Sequence, residues 1–581
     1  MSNIGMVLNI ATTALNAQQY GMGVTAQNIA NVNTEGYSRQ SPVLVAEQPL
    51  LYEGLLLGRG VDTEQVSRSS DQFIENKLMR EKSSMLSSSE MEKYMQVLEG
   101  FFNENSGTSI STMVSEFWNG WHDLSNNPSG SSERISLYEQ SVLLSEQFNA
   151  LRTDLIQIDK DLTGAVTSGI ETINKITHEI AQVNNQIVSM EANNVANDLR
   201  DKRNTLVSEL NEYLDVKAFE QSDGSLTIVA ARGSTLVQGN SNYNLEMGGS
   251  NGDRVIWQDS GGGYVDITNH LSNGKLGGWL DIRDEIIAKN QLDLDALAKE
   301  FIWSVNQQHT QGVGLEGFST VTGKYRATDT SAAMDSTGLS FADKIVDGDF
   351  RLCLYDSNGN YDIDATLSID ADVTSIDDIA TAINAIDVTM ISATVVDNKL
   401  QISGVNGYEF AFSDDNSNVL AALGINTFFT GSSAGNMGVN DVIGLNKNNI
   451  AAAQVASDGS MASGDNNNAL AITDLQSATM SISQWTCDRI NGNTQGSIIS
   501  TTEDYYHSMV GTIGIVSASV SRDRSFGEMM VNELSTIRDS ISAVSLDEEM
   551  TNLIKFQHAY AAAAKLIGVA DEMLNTLLEL K

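Results

Sequence analysis

The sequence is poor in cysteine and proline. Cysteine occurs twice, at Cys353 and Cys487, and proline three times, always before residue 130. Two cysteines so far apart form neither a redox motif nor half of a zinc site, and a fold that depends on disulfides is not expected. Their redox state is left open. With so few prolines, helices can run long, and turns must rely on glycine, asparagine, aspartate and serine.

Positive charge is also scarce. The chain has 34 Lys and Arg against 75 Asp and Glu, a net charge of -41. Such a surface repels phosphate groups, which argues against binding to nucleic acid or to an anionic membrane. No apolar run approaches the ~18 residues of a membrane span, and the start lacks the features of a cleaved secretory signal. By the ordinary rules the chain would stay in the cytoplasm, unless it is exported without a cleaved signal.

The pattern of apolar residues divides the 581 residues into several regions. Its period is near 3.6 in most of the chain and near 2 after Asp215, and residues 326–440 carry 17 acidic and 4 basic side chains. We predict a multi-domain α plus β fold: a long helical bundle with a coiled-coil-like core formed by the N- and C-terminal segments, and inserted β-rich and α+β outer domains. The predicted parts are a terminal helical domain (1–50 with 542–581), a helical rod domain (51–214, 270–325 and 441–541), a small β domain (215–269) and an acidic α+β insert (326–440).

The head of the chain is uncharged. Residues 1–34 contain no Asp, Glu, Lys or Arg. A helix without ionised groups is either surrounded by other protein molecules or buried within its own domain, and the pattern leaves both open. Its apolar residues fall on one heptad register, with Gln18 and Thr25 as polar members: Ile4, Leu8, Ala11, Leu15, Met22, Ile29 and Val32.

The tail carries a second seam. It should begin at the capping box Ser545-Leu-Asp-Glu548, in which the Ser545 hydroxyl and the Glu548 carboxylate bond each other's backbone amides. Two such helices at opposite ends of one chain can pair only if everything between them loops out and returns. The seam residues recur at steps of three and four: Leu553, Phe556, Tyr560, Ala563, Ile567, Ala570, Leu574 and Leu577.

Between the ends, four local predictions are specific. A helix at 110–124 should bury Trp118 and Trp121. A long heptad pattern at 148–190 slips around Gly164 and Gly169, so we predict a rod that is bent or locally unwound there. Asp223-Gly224 indicates a β-hairpin, and residues 469–541 are predicted to be helical.

No catalytic or metal site is predicted. The segment 356–362 spaces oxygen ligands like a calcium loop but has Tyr361 where the loop needs glycine and Leu367 where it needs a bidentate Glu, so a hairpin turn is the simpler interpretation. The six histidines are scattered, and no nucleophile elbow, zinc-protease motif or P-loop occurs. We therefore expect no enzyme and no cofactor.

Several motifs resemble a known family. Gln27-Asn-Ile-Ala-Asn-Val-Asn-Thr-Glu-Gly36 is similar to the N-terminal signature of bacterial flagellar axial proteins, and Tyr37-Ser-Arg-Gln40 resembles the hook-associated protein 1 (FlgK) family of the hook–filament junction. Further resemblances lie at 198–206, 274–283, 306–309 and, above all, 546–557.

The resemblance implies a structural protein that forms a junction ring through its head and tail helices. It also implies export through the flagellar type III channel without a cleaved signal. The implied partners are copies of itself, the hook protein, the adjacent hook-associated protein or filament, and an export chaperone on the tail. Besides the head seam, the implied assembly residues are Asn28, Asn31, Asn33, Gly36, Tyr37, Ser38 and Arg39, and in the tail Leu553, Phe556, Tyr560, Ile567, Leu574 and Leu577.

Two alternatives to a junction protein are kept. The first is another axial protein, hook-like or flagellin-like, against which the length, the segment 37–40 and the insert count. The second is a secreted acidic adhesin or hydrolase, supported only by the acidic surface. For the free chain, we expect head and tail to be largely disordered, because isolated helices with uncovered seams are marginal in water.

Overall fold

The computed structural model describes residues 2–34, 36–52, 55–103, 107, 109–191, 195–250, 252–259 and 261–579. The chain forms two compact units. The first combines residues 1–93, 162–281 and 518–581, and the second combines 94–161 and 282–517. The finer division into four parts stays a prediction.

Long helices make up much of the fold, and a π-helical segment, Ile282–Ile287, lies between two of them. The α-helices are α1 (Ser2–Ala30), α2 (Gln72–Phe101), α3 (Ile110–Asn126), α4 (Ser131–Met190), α5 (Asn197–Tyr213), α6 (Gly274–Asp281), α7 (Ala288–His309), α8 (Ile376–Asn384), α9 (Val419–Leu423), α10 (Asp441–Leu445), α11 (Asn467–Asp474), α12 (Thr502–Ser542) and α13 (Leu546–Glu579).

The strands are short and pair antiparallel in small sheets, in the orders β1-β4, β2-β3, β5-β6-β7-β8, β11-β10-β9, β12-β16-β15, β14-β13-β17, β18-β19 and β20-β21. They are β1 (Gln40–Ala46), β2 (Leu50–Tyr52), β3 (Leu55–Leu57), β4 (Val61–Arg68), β5 (Lys217–Glu220), β6 (Leu226–Val229), β7 (Thr235–Gln238), β8 (Ser241–Asn242), β9 (Leu245–Gly248), β10 (Arg254–Gln258), β11 (Tyr264–Asp266), β12 (Thr320–Thr322), β13 (Gly348–Tyr355), β14 (Tyr361–Ile369), β15 (Ile391–Val396), β16 (Lys399–Gly404), β17 (Glu409–Ser413), β18 (Phe429–Thr430), β19 (Gly438–Val439), β20 (Met480–Thr486) and β21 (Thr494–Ser500).

The core of the first unit lies where the second half of α4 packs with α5, α6 and the β5–β8 sheet. Ile180 of α4, Leu210 of α5 and Ile228 of β6 are fully buried in one cluster. The hairpin predicted at Asp223-Gly224 is confirmed: β5 pairs with β6, and Gly224 has a positive φ of 83°. Such a φ favours glycine, which explains the residue at this turn.

The core of the second unit is aromatic. Trp118 and Trp121 of α3 are buried, as predicted from the spacing, and Phe117 contacts both of them and Phe301 of α7. The ring centroids of Phe117 and Phe301 are 5.4 Å apart, and the edge-to-face arrangement is the one that aromatic pairs prefer. The β13–β14 connection is the predicted hairpin turn, because Asp356 Oδ1 accepts bonds from the amides of Asn358 and Asn360.

Two sequence predictions are wrong. The α4 helix runs unbroken past Gly164 and Gly169, so the predicted local unwinding is wrong. A Cβ on Gly169 would lie 2.8 Å from the ring of Trp279, so this glycine permits close packing and does not break the helix. Residues 480–500 were predicted to be helical but form the β20–β21 hairpin. This segment contains four isoleucines and two threonines, whose β-branched side chains favour strands.

Candidate assembly site

The helices α1 and α13 at the two ends of the chain pack against each other. Phe556 lies against Gly21, where a Cβ would come 2.7 Å from the ring. Two turns later in α1, Asn28 donates a hydrogen bond to Glu549, which lies two turns earlier in α13. The partners move in opposite directions along the two helices, so the pair is antiparallel. The fold therefore contains the head–tail pairing that the two sequence seams predict.

The tail helix turns most of its predicted seam toward this pairing. The two alanines of the seam are buried, and the side chains of its larger members are half-buried. Leu574, near the end, is 43% exposed, and the side chain of Leu577 lies outside the described residues. The half-buried members are Leu553, Phe556, Tyr560 and Ile567, and the buried ones Ala563 and Ala570.

The head helix turns a different face to α13 than the predicted one. Its buried residues are mainly small: Ala11, Ala17, Gly21, Val24, Thr25 and Asn28. At ~100° per residue, Ala17, Gly21, Val24 and Asn28 lie about a quarter turn from the heptad register of the sequence, to which Ala11 and Thr25 themselves belong. Small side chains let two helices approach closely, which explains the choice of face. Of the predicted register Ala11 and Thr25 are buried and Leu8 is 40% exposed, while the half-buried members are Ile4, Leu15, Met22, Ile29 and Val32.

Asn28, near the end of α1, is the centre of a hydrogen-bond network. It is 1% exposed. Its amide nitrogen donates to the carbonyl of Gln40 (2.8 Å) and to Glu549 (3.0 Å), and its amide oxygen accepts from Tyr37 Oη (2.8 Å) and from the Gln40 amide (3.0 Å). All four hydrogen-bonding positions of the side chain are used. Asn28 therefore links α1, the following loop and α13.

Arg39 closes the network on the side of α13. Its Nε lies 2.9 Å from the buried carboxylate of Glu549, its Nη1 lies 2.7 Å from Glu548, and its amide donates to the carbonyl of Ser542 at the end of α12. The predicted capping box is therefore wrong: in the described chain, Glu548 pairs with Arg39, and neither of the two predicted bonds between Ser545 and Glu548 is present. A buried carboxylate that pairs with an Arg guanidinium fixes the register between loop and tail.

The other side of the loop contacts α5. The Ser38 amide donates to Asp201, whose carboxylate lies 2.8 Å from Arg68 of β4, and the side chain of Gln40 donates to Asp198. Burial raises the pKa of the Asp201 carboxyl to about 6, although Arg68 opposes the shift. Burial and three nearby carboxylates raise the pKa of Tyr37 to about 12, so its hydroxyl stays a donor to Asn28.

The remaining loop residues have local roles. Gly36 has a φ of 80° and packs against Thr205 of α5, so a side chain is excluded twice. Asn31 donates to the carbonyl of Gln27 and accepts from the Thr34 hydroxyl, whereas Asn33 is exposed. The motif residue Glu35 lies outside the described residues.

Sequence reasoning did not select five polar residues of this network: Gln40, Arg68, Asp198, Asp201 and Glu549. Gln40, Asp198, Asp201 and Glu549 lie in motifs that carry the resemblance, but no pattern in the sequence gives them a role. The hydrogen-bond and ion-pair partners of these residues are distant in sequence. The spacing of apolar residues along one helix or strand cannot reveal such contacts.

Apolar side chains remain uncovered on both helices. Met550 and Ile554 lie one turn apart on α13 and are 50% and 51% exposed, and Tyr20 of α1 is 49% exposed. Nearer the end of α13, Leu566, Val569 and Met573 are also exposed. The head–tail pair thus keeps apolar surface available for contacts with other molecules.

In the described part of the chain, no three Asp, Glu, His or Cys side chains come together as a metal site would require. Among the same residues, no helix is long and apolar enough to cross a membrane.

Family models match three parts of the chain. Residues 95–324 match the helical domain of the flagellar hook-associated protein FlgK, residues 539–580 the C-terminal part of the flagellar basal body rod proteins FlgEFG, and residues 8–37 the flagella basal body rod protein. The last two matches coincide with α13 and with most of α1.

Relatives and a solved structure extend the similarity to nearly the whole chain. Flagellar hook-associated protein 1 of Escherichia coli is 27% identical, over 99% of this chain and 100% of the relative. The Salmonella typhimurium protein of that name is 28% identical over the same shares, and that of Bacillus subtilis 24% identical over 100% and 98%. The flagellar hook junction protein FlgK from Burkholderia pseudomallei shares the fold, with a TM-score of 0.52 and 16% identity over 80% of this chain and 100% of that one.

Proposed function

Because the chain belongs to the flagellar hook-associated protein 1 family and is a structural axial protein at the hook–filament junction of the bacterial flagellum, we propose that it assembles there into a ring through α1 and α13. In the ring, the antiparallel head–tail pair of each copy packs against the pairs of neighbouring copies. The loop network around Asn28 holds each pair in register.

The observation that carries this proposal is the apolar surface that the pair of α1 and α13 leaves exposed to solvent. In addition, α1 contains no charged residue. Burying apolar surface contributes about 25 cal/mol per Å², and copies in contact would remove Met550, Ile554 and Leu8 from water. An uncharged α1 has no ionised group that would have to be desolvated in such a contact.

The proposed interface consists of both helices and the loop. In the head it comprises Ile4, Leu8, Ala11, Leu15, Met22, Ile29 and Val32; in the loop network Asn28, Asn31, Asn33, Gly36, Tyr37, Ser38 and Arg39; and in the tail Leu553, Phe556, Tyr560, Ile567, Leu574 and Leu577, together with the exposed Met550 and Ile554. The members of this set that are buried within the chain hold α1 and α13 together. The half-exposed members make the contacts between copies.

The proposed partners beyond the ring are the hook protein on one side and the adjacent hook-associated protein or filament on the other. We also propose export to the cell exterior without a cleaved signal, and an export chaperone that covers the tail helix before assembly. The apolar end of α13, where Leu574 and Leu578 are exposed, supports a chaperone there, because an uncovered apolar helix face favours aggregation.

The test replaces the uncovered residues of α13. In the variant Met550→Asp with Ile554→Asp, the free protein should keep its circular dichroism and melting temperature, since both side chains are half-exposed. We expect attachment of filaments to fall at least to about a tenth, because two charges would have to be buried between copies. The measurement counts filaments per hook by electron microscopy in cells that produce the variant.

The matched control is Val188→Asp with Met190→Asp. These residues end α4 and are 41% and 64% exposed, so the control makes the same chemical change on another helix. Attachment should be normal in the control. Normal attachment in the α13 variant as well would refute the proposed interface.

The alternatives have less support. The similarity to hook-associated protein 1 extends over nearly the whole chain, including the acidic insert, and this favours the junction over a hook-like or flagellin-like position. No observation favours an adhesin or a hydrolase.

A further inference from the structure

A cavity of about 460 Å³ opens in the first unit beside the β5–β8 sheet. It lies between the end of α5, the turn after β6 and the residues just before α6. Its volume is in the range of pockets that hold a ligand. The charged or titratable residues that line it are Asp215, Lys217, Arg232 and His270.

The charge of this cavity is opposite to that of the molecule. Lys217 and Arg232 line it, and in the described chain neither makes an ion pair. The nearby Lys275 differs, because it lies 3.1 Å from the carboxylate of Glu212. Among the described residues of the lining, Asp215 is the one with an acidic side chain. In a chain with a net charge of -41, two unpaired cations at one cavity are an attractive site for an anion.

The backbone adds to this charge. Arg232 has a φ of 55°, in a turn closed by a bond from the Ala230 amide to the Ser234 carbonyl, and this turn places it at the cavity. On the other side, Ser272 and Asn273 line the cavity directly before α6 begins at Gly274. The amide end of a helix carries a partial positive charge. Side chains and backbone therefore favour the same kind of ligand.

We propose that this cavity binds a carboxylate-bearing segment of a neighbouring copy of the chain. The inference rests on the proposed ring, in which copies with 75 acidic residues each come into contact. Like charges repel at such a contact, and a cationic cavity that receives an acidic side chain replaces repulsion by attraction. The volume exceeds that of one carboxylate group, so the occupant is a short acidic segment and not a single side chain.

Zero-length cross-linking of amines to carboxylates tests this contact. Hooks that lack the protein are loaded with an equal mixture of unlabelled and isotope-labelled full-length chains, treated with a water-soluble carbodiimide, and digested for mass spectrometry. The expected result is an amide bond between Lys217 and an Asp or Glu of a differently labelled chain. The control Lys217→Arg keeps the charge and should load normally without this cross-link.

Charge reversal provides a second measurement. We expect Lys217→Glu with Arg232→Glu to load onto hooks about tenfold more weakly than the wild type. The control Lys175→Glu with Lys202→Glu changes the net charge equally at exposed lysines of the same unit and should load normally.

Three results would overturn the inference. If the wild type loads but Lys217 forms no link to another copy, the inference fails and the proposed ring stands. If citrate titrated into the free chain binds at the cavity while no link between copies forms, the cavity is a site for free anions. If the wild type does not load onto hooks at all, the ring and the inference fail together.

Discussion

At the scale of single residues, His309 shows how burial determines a protonation state. The side chain is fully buried. Its Nε2 lies 2.9 Å from the amide of Ala451, which can only donate, so Nε2 accepts, and Nδ1 donates to the carbonyl of Asn426 at 2.7 Å. Burial lowers the pKa of His309 to about 4. The imidazole is therefore neutral in the folded second unit.

This neutral histidine predicts a loss of stability in acid. The pKa in the unfolded chain is about 6.5, above the folded value, so protons bind more tightly to the unfolded state. The stabilisation is complete above pH 6.5 and falls as the pH drops toward 4, by on the order of 3 kcal/mol. We expect the variant His309→Gln to lack this part of the pH dependence. Urea unfolding followed by tryptophan fluorescence, between pH 7.5 and about 4.5, measures the difference.

Trp121 is a suitable reporter, since its ring centroid lies 6.3 Å from that of His309. Acidic residues titrate in both proteins, so only the difference between wild type and variant is used. Parallel pH profiles in the two proteins would contradict the assignment.

The polar network around Asn28 shows the limit of sequence reasoning at this scale. The motif selects Asn28, Tyr37 and Arg39, and the structure brings all three together. The motif could not select Glu549, because the hydrogen bond between Asn28 and Glu549 joins residues at opposite ends of the chain. Hydrogen-bond partners follow from tertiary packing, and no local pattern encodes them.

At the scale of elements, the contact between α1 and α13 depends on a glycine. Alanine in place of glycine inside a helix normally stabilises it by about 0.5–1 kcal/mol. At Gly21, however, the new Cβ would lie 2.7 Å from Phe556, and the ring would have to move. We expect Gly21→Ala to speed hydrogen exchange of residues 549–563 in hook-attached protein by about fivefold, which corresponds to about 1 kcal/mol.

Gly23 is the matched control in the same helix. It is exposed, and a Cβ there would meet no atom within 4 Å. Gly23→Ala should leave exchange in 549–563 unchanged or make it slower. Equal effects of the two substitutions would show that the approach of Phe556 to Gly21 does not limit the pairing.

The two ends differ in how well their sequence predicts the packed face. In α13 the apolar stripe is also the face turned toward α1. In α1 the stripe of larger apolar residues lies beside the packed face, because the closest approach selects Ala17 and Gly21. Apolar periodicity finds a helix and its most hydrophobic side, but the partner's shape decides which side is packed. The same limit applies to 480–500, where the sequence predicts a helix and the chain forms the β20–β21 hairpin.

At the scale of the whole molecule, charge is distributed unevenly along the sequence. Residues 1–34 have none, whereas the segment 326–440 carries 17 acidic residues. A segment without charges can pack against other protein molecules without burying an ionised group. An acidic segment, by contrast, keeps the protein soluble through charge repulsion. The proposed ring uses this division, since self-association is confined to the ends of the chain.

The same division predicts where the free chain is least stable. The buried apolar residues of α1 and α13 are mostly alanines, such as Ala11, Ala17 and Ala563, whereas α4 buries Phe148 and Leu155. Segments that bury little apolar surface open easily, and their amides exchange quickly. In the free protein we expect amides of α1 and α13 to exchange about a thousandfold faster than those of α4. After attachment to hooks, exchange in both terminal helices should slow strongly, while α3 serves as the unchanged reference. Slow exchange of α1 and α13 in the free protein would instead show that the head–tail pair is stable without neighbouring copies.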